Sequence, residues 1–351
     1  MTTKKNKKLR LALFFGGRSA EHEVSVVSAQ NVFSAIDKKK YVIELVGIKK
    51  DGSWVSVKTK DFIDKNFSLG KSTNFVSPFF ENKKFFIWQK GKKSQIDLAF
   101  PVLHGPFGED GTLQGLLSFF DVPFVGAGVI GSAVGMDKDV MKRLLKEAGI
   151  GIPKFIVYEK YESKTIEFNK IKKILSLPFF VKPANLGSSV GISKVEKQQD
   201  FSPAIKEAFK FDRKIIIEEG VVGREIECAV LGNDLPKASI LGEIVPKHSF
   251  YSYKAKYLDK SGADLIIPAE VPSNIKRKIQ ETAIKVFKVL NCRGLGRVDF
   301  FLEKDGTILV NEINTLPGFT SISMYPKLWQ ESGIGYSELI DKLIELALGK
   351  K

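Results

Sequence analysis

Between Arg297 and Asn314 the chain carries four polar side chains that together could hold a metal ion and phosphate. Arg297-Val298-Asp299-Phe300-Phe301-Leu302 is β-branched and aromatic, Glu303-Lys304-Asp305-Gly306 has turn composition, and Thr307-Ile308-Leu309-Val310 reads as a returning strand. Side chains alternate faces along a strand, so Glu312 and Asn314, just past the second arm and two apart, point the same way. Pairing of the arms would bring Asp299 onto that face. Two carboxylates and an amide oxygen form a hard, all-oxygen donor set suited to Mg²⁺ that also holds phosphate oxygens. Arg297 adds a planar fork of donors for phosphate or carboxylate. The rival reading is an edge hairpin with solvated acids. It leaves unexplained why acids interrupt apolar strands, and why the turn-forming Asn314-Thr315-Leu316-Pro317-Gly318 follows at once.

Three further stretches point to anions. Residues 178–182 read as a short strand running into Pro183-Ala184-Asn185-Leu186-Gly187-Ser188-Ser189-Val190-Gly191-Ile192. This is not a P-loop, which needs glycine-lysine-serine at fixed spacing. Its two glycines and two serines would still let backbone N–H groups line a concave, anion-binding turn. Lys138 stands near the start of a helix that opens at residues 137–140 and runs over 142–148. A lysine there opposes the helix dipole, and a phosphate partner would account for it. Residues 96–103 form an apolar strand ending in His104-Gly105-Pro106-Phe107-Gly108-Glu109-Asp110-Gly111. The carboxyl end of a parallel strand followed by glycines is where open α/β sheets place ligands, although a lone histidine there also has a plain capping or packing reading.

Taken in order, these stretches resemble one family. G-x-G-R-x-D at 294–299 and N-E-x-N-T-x-P-G at 311–318 resemble the metal-binding end of the ATP-grasp ligases. GGRSAEHEVS at 16–25 and K-P-A-N-L-G-S-S-V-G at 182–191 are similar to the D-alanine–D-alanine ligase family within them, and the match covers essentially the whole chain. The resemblance implies ATP-dependent ligation of two D-alanines through an acyl phosphate, for peptidoglycan precursor synthesis. It implies two Mg²⁺ ions, with Mn²⁺ as an alternative, and a homodimer. It also implies roles. Glu21 receives the ammonium of the first D-alanine, and His104 borders that site. Lys182 contacts phosphate and the adenine side, and Ser188 fixes the loop over the substrates. Glu218 binds the adenine amino group, Val221 offers a backbone contact and Glu225 holds the ribose hydroxyls. Lys256 and Tyr257 belong to an ω-loop that closes over the phosphates and the first substrate. Arg297 and the backbone N–H of Gly318 stabilise a tetrahedral oxyanion, and Ser323 lies beside the second amino acid. Asp299, Glu312 and Asn314 hold the metal.

Two departures stand out: residues 58–93 carry no motif, and Met324 replaces a leucine common in the family. The base for the incoming amine is not identified. A D-alanine–D-lactate or D-alanine–D-serine ligase would share nearly every motif. The lactate-using enzymes resemble one another in a loop containing a histidine, whereas here His248 precedes Tyr251. Another ATP-grasp enzyme, such as a carboxylase, would keep the metal hairpin but has no reason for GGRSAEHEVS.

The elements that must position these residues follow from length and pattern. At 351 residues, the chain suits two or three domains with ample core. The expected fold is α/β with α+β character: an ATP-grasp body behind an N-terminal Rossmann-like domain on an open parallel sheet. Its expected units are 1–126, 127–218 and 219–351, with phosphate loop in the second and metal site in the third. Residues 9–15 form the first strand and 20–36 a helix, with Ser19 as its N-cap, Glu23 facing the helix dipole and His22 at the surface. Glu227 likewise reads as a surface acid. Residues 58–93 read as short strands and loops, 273–290 and 336–348 as amphipathic helices, the latter docked on the core. The net charge of +15 invites a nucleic-acid reading, but only eight of the 55 basic residues are arginine and the lysines are scattered without an aromatic-interleaved stripe. A lysine-rich solvated surface accounts for it. Two cysteines, no secretory signal and no apolar run near the ~20 residues of a membrane span point to a cytoplasmic protein.

Overall fold

Apolar strands in the N-terminal third build the first two sheets. The computed structural model describes residues 8–82, 84–247 and 263–349. The strands here are β1 (Leu9–Gly16), β2 (Tyr41–Ile48), β3 (Trp54–Ser56), β4 (Ser77–Glu81), β5 (Lys84–Gln89), β6 (Lys92–Ile96) and β7 (Leu98–Leu103). β1 pairs in parallel with β2 and β7, and β3 adds an antiparallel edge. All of β7 and the last six residues of β1 are buried, as a parallel strand covered on both faces requires. Gly16 ends β1 at φ +91°, where an added Cβ would lie 2.3 Å from the Ile48 carbonyl oxygen. Only glycine fits that turn.

The helix after this turn spans His22–Ala35, two residues later than expected. Ser19 does not cap it. Its hydroxyl instead donates to the carbonyl of His104 at 2.6 Å, tying the first loop to the end of β7. His22 is not at the surface either: it is buried, with Nδ1 2.7 Å from the Gly17 carbonyl. Residues 58–93 are more ordered than their composition suggests. Helix Thr59–Phe62 buries Phe62, and β4, β5 and β6 form an antiparallel meander.

The middle of the chain forms an antiparallel sheet from β8 (Phe155–Glu159), β9 (Phe179–Pro183), β10 (Ser193–Val195) and β11 (Lys214–Glu219), in the order β10-β9-β11-β8. Helices Phe168–Leu175 and Gln198–Phe211 cover it, closing a core of Ile171, Phe179, Phe201, Ala208 and Ile217. Helices Gln198–Phe211, Val129–Met136 and Met324–Glu331 are not anticipated above.

The largest sheet contains β12 (Gly223–Gly232), β13 (Lys237–Pro246), β14 (Ala263–Ile266), β15 (Gly294–Glu303) and β16 (Ile308–Asn314), in the order β14-β13-β12-β15-β16. Helix Ser273–Val289 packs on one face through Ile279, Ala283 and Phe287. On the other face Leu231 and Leu295 share a core with Leu11, Leu13 and Phe15 of the first sheet and with Tyr325, Leu339 and Leu343 of the last two helices. The terminal helix Tyr336–Ala347 is thus docked on the core, as expected. Among the described residues, no helix is long and apolar enough to cross a membrane.

Candidate active site

The expected hairpin is β15 and β16, but Glu312 and Asn314 lie inside the second strand rather than past it. Glu312 pairs with Asp299 and Asn314 with Arg297, while the register slips between Asp299 and Phe300. Asn311 is the extra residue of this β-bulge. Val310 is buried in the core, and strict alternation would send Glu312 in after it. The bulge resets the parity, so Ile313 is buried instead and Glu312 turns to the opposite face. β12 extends the same face, because Glu227 sits across from Asp299 and Glu225 lies two residues earlier.

Arg297 organises this face. Its Nε and Nη2 donate to the two oxygens of Asp299, each at 2.7 Å, and Nε also lies 3.0 Å from Glu227 Oε2. Burial alone would weaken the guanidinium's charge. Asp299 and Glu227 overcome it and hold the group well above its ordinary pKa. Glu227 is therefore a buried partner of Arg297, not a surface acid. Its position two residues from Glu225 was the signal for that face. Lys138 Nζ bridges the sheet to the glycine-serine loop, donating to the Leu186 carbonyl at 2.6 Å and lying 3.6 Å from Glu312. Its helix, Lys138–Glu147, is capped by the Asp137 side chain.

Among the described residues, no three His, Cys, Asp or Glu side chains already converge as a metal cage, and the fork of Arg297 holds the Asp299 carboxylate. The donor set nevertheless fits a hard divalent cation by chemistry. Asp299, Glu312 and Asn314 offer oxygen only, from paired strands and one face.

A second group of side chains comes from the other end of the chain. Ser188 donates a short hydrogen bond to Glu21 Oε1. Ser188 and Ser189 both adopt positive φ, 53° and 59°, which bends the loop towards Glu21. His104 is buried, with Nδ1 3.1 Å from the Leu316 carbonyl and 3.6 Å from Glu109, and Nε2 3.3 Å from the Ser28 hydroxyl. Burial lowers its basicity, but Glu109 and Glu21 outweigh that and raise its pKa. Burial pushes the Glu109 carboxyl up. In the sequence Glu109 is one acid of the 104–111 string, and its partnership with His104 needs the loop's fold. Gly105 is at φ +73°, and a Cβ there would come within 2.9 Å of Glu21 Oε2.

One cavity of about 360 Å³ joins the two groups. Glu21, Ser188, Lys138, Arg297, Glu312, Asn314, Gly318 and Ser323 all line it. Asp299, held behind Arg297, does not line it, and neither do Lys182, Glu218, Val221 and Glu225, which belong to β9, β11, β12 and the link between the last two. Lys256 and Tyr257, and the expected ω-loop with them, lie outside the described residues.

In that outer region Glu218 is buried between two lysines, 2.5 Å from Lys182 and 2.6 Å from Lys142. Burial opposes its charge, but the two ammonium groups bring its pKa down to about 2. Burial likewise lowers Lys142, only partly offset by Glu218. Lys142 is absent from the motifs above, although its spacing from Lys138, Met141 and Leu145 puts it on the buried stripe. The Glu218 carboxylate contributes stability that is present above the ordinary value near 4.5 and lost as pH falls towards 2. Lys142→Met is expected to destabilise the protein by about 3 kcal/mol at neutral pH by stripping a buried acid of one partner. Thermal melts across pH 3 to 8 check it, and equal stability at pH 7 would contradict the pairing.

The comparisons agree with this geometry. The family model described as "D-ala D-ala ligase N-terminus" matches residues 10–127, and that described as "D-ala D-ala ligase C-terminus" matches 144–345. The chain is 51% identical to a D-alanine–D-alanine ligase of Oceanobacillus iheyensis, over 97% of this chain and 95% of that protein. It is 47% identical to D-alanine–D-alanine ligase A of Escherichia coli strain K12, over 97% and 96%. Among solved structures it is similar to the D-alanine–D-alanine ligase from Coxiella burnetii, with TM-score 0.88 and 38% identity, over 97% of this chain and 94% of that one. VanG D-Ala:D-Ser ligase from Enterococcus faecalis gives TM-score 0.87 and 37% identity, over 97% and 100%.

Proposed function

Since the chain belongs to the D-alanine–D-alanine ligase family, we propose that it joins two D-alanines into D-alanyl-D-alanine at the expense of ATP. The observation that carries this is the shared cavity. It brings Glu21 and Ser188, an acid and a hydroxyl suited to an ammonium, against Arg297 and Glu312, suited to phosphate and metal. The family's chemistry requires ATP and a divalent metal ion; two Mg²⁺ ions are the finer reading.

Glu21 would take the ammonium of the first D-alanine, with Ser188 fixing the Glu21 carboxylate. That leaves the substrate carboxylate facing the sheet, where its oxygen attacks the γ-phosphorus of ATP, breaking the β,γ phosphoanhydride bond to release ADP and form an acyl phosphate. A divalent ion held by Asp299, Glu312 and Asn314 would supply charge neutralisation for the phosphate oxygens. The unprotonated amine of the second D-alanine then attacks the acyl carbon, phosphate leaves with the C–O bond, and the nitrogen gives up one proton to solvent. Arg297, fixed by Asp299 and Glu227, presents the outer end of its fork to the developing oxyanion, with the Gly318 N–H as a second donor; each such donor contributes ~3 kcal/mol. The loop at Ser188 shields the acyl phosphate from water. Lys138 and Lys182 serve the phosphates, Glu218 and Val221 the adenine, and Glu225 the ribose. Lys182 must leave Glu218 to do so, and Lys142 then keeps that acid ionised. Lys256 and Tyr257 close the site, and Ser323 borders the second alanine.

We read 1–126, 127–218 and 219–351 as the three units of this machine, acting in the cytoplasm, where ATP is available, as a homodimer. Phosphate release from ATP tests the substrate choice. D-alanine should support turnover that rises with pH as more of the second amine is unprotonated, and L-alanine should not. D-lactate outcompeting D-alanine at neutral pH would overturn the dipeptide reading in favour of a depsipeptide ligase.

A further inference from the structure

The Gly318 N–H, the second donor proposed for the oxyanion, sits on the residue type least able to hold its own backbone still. Glycine has the widest torsional freedom, yet a Cβ at 318 would lie 2.8 Å from Ser323 Oγ. The peptide plane that carries this N–H joins Pro317 to Gly318. Its direction therefore has to be fixed through the planes on either side.

Both flanking planes are pinned from the N-terminal part of the chain. On one side His104 Nδ1 lies 3.1 Å from the Leu316 carbonyl, and the ring of Pro317 fixes the next φ. On the other side the Phe319 N–H donates to Ser28 Oγ at 3.2 Å. The same hydroxyl lies 3.3 Å from His104 Nε2. A hydroxyl can accept from the Phe319 N–H and still either donate to Nε2 or accept from it, so Ser28 ties the two pins together. Ser28 is fully buried and does not line the cavity. It stands on helix His22–Ala35, seven residues after Glu21. Two helical turns put the two residues on nearly the same side. One rigid element thus begins at the acid proposed to take the first ammonium and carries the hydroxyl that grips the turn at 316–319.

From this we infer that Ser28 is a positioning residue for amide formation: it holds the turn so that the Gly318 N–H faces the oxygen of the acyl carbon as the amine attacks. The inference rests on the ligase reading above. Without the hydroxyl, the buried Phe319 N–H loses its acceptor and the turn rotates to find another. The Phe319 carbonyl stays held, accepting from Asn31 Nδ2 at 3.0 Å and from the Tyr336 hydroxyl at 2.8 Å. The damage falls on the direction of one N–H and not on the docking of the turn.

The test compares the two halves of the reaction in one sample. ATP carrying ¹⁸O in its β,γ bridge is given to the protein with limiting D-alanine. Cleavage to ADP and acyl phosphate frees the labelled β-phosphate to rotate, and reversal returns ATP with the label outside the bridge. Scrambled ATP per D-alanyl-D-alanine formed, read by ³¹P NMR, reports how slowly amide formation follows activation, whatever fraction of a variant is folded. Ser28→Ala should raise that ratio by about 10- to 100-fold, the effect of a group misplaced by about 1 Å. Ser28→Cys keeps the size but bonds weakly, so it should raise the ratio less, and it decides the matter where the alanine variant does not fold. Asn31→Ala also removes a hydrogen bond from the turn, but from neither flanking plane, and should keep the wild-type ratio. An unchanged ratio in the Ser28 variants, or an equal rise in Asn31→Ala, overturns the inference. Failure of the wild-type protein to make any dipeptide overturns the ligase reading itself.

Discussion

Glu312→Gln is expected to reduce ATP turnover by about a thousandfold or more while leaving the fold intact. The substitution keeps the side chain's size and removes one of the two carboxylates offered to the metal. The Glu312 side chain is 27% exposed and lies 3.6 Å from Lys138, and glutamine can still accept a hydrogen bond there. Asp299→Asn should differ, because Asp299 accepts two hydrogen bonds from buried Arg297. It should lose both activity and stability. Thermal melts beside turnover assays separate the two cases, and near-normal turnover by Glu312→Gln would contradict the metal assignment.

Arg297→Met should be the most damaging single change on the sheet. It leaves Asp299 and Glu227 facing each other across β15 and β12 without their shared counter-charge. Breaking a buried ion pair from one side costs about 3–5 kcal/mol, and the missing oxyanion donor should lower kcat by a further 10²–10³, as an order of magnitude. The pH dependence follows from sign. Losing that guanidinium and keeping each other's negative charge raises the folded pKa of both acids, towards and above the unfolded value near ~4. The variant's deficit is therefore full at neutral pH and shrinks as pH falls towards about 4, below which both states are protonated. Arg297→Lys should recover part of the stability but little of the rate, because an ammonium cannot reproduce the two-pronged contact with Asp299. Denaturant unfolding at pH 4 and pH 7 checks the first point, and a pH-independent deficit would contradict it.

Much of the site is legible in the sequence because its residues sit in short strings whose local geometry is nearly forced. The turn at 303–306 guarantees that β15 and β16 pair, and the glycines at 16 and 105 mark loops that a side chain would block. What stays hidden depends on contacts between distant segments. No local signal announces the bulge at Asn311, yet without it Glu312 would face the core. Glu227 and His22 look like surface residues because alternation and helical spacing show which residues share a face, but not what covers that face. For His22 the spacing was informative: it recurs with Ser25, Val26, Ala29 and Val32 on the buried stripe. The order in residues 58–93 comes from Phe62, Leu69 and the meander packing on neighbours, not from any periodicity of their own.

The central claim is that ATP activates the carboxylate of one D-alanine for attack by the amine of another. Isotope transfer tests it most directly. D-alanine labelled with ¹⁸O in its carboxylate is incubated with ATP, Mg²⁺ and the protein, and the released phosphate is analysed by mass spectrometry. An acyl phosphate intermediate predicts one labelled oxygen in phosphate for each D-alanyl-D-alanine formed. Dipeptide formed with unlabelled phosphate would contradict the account.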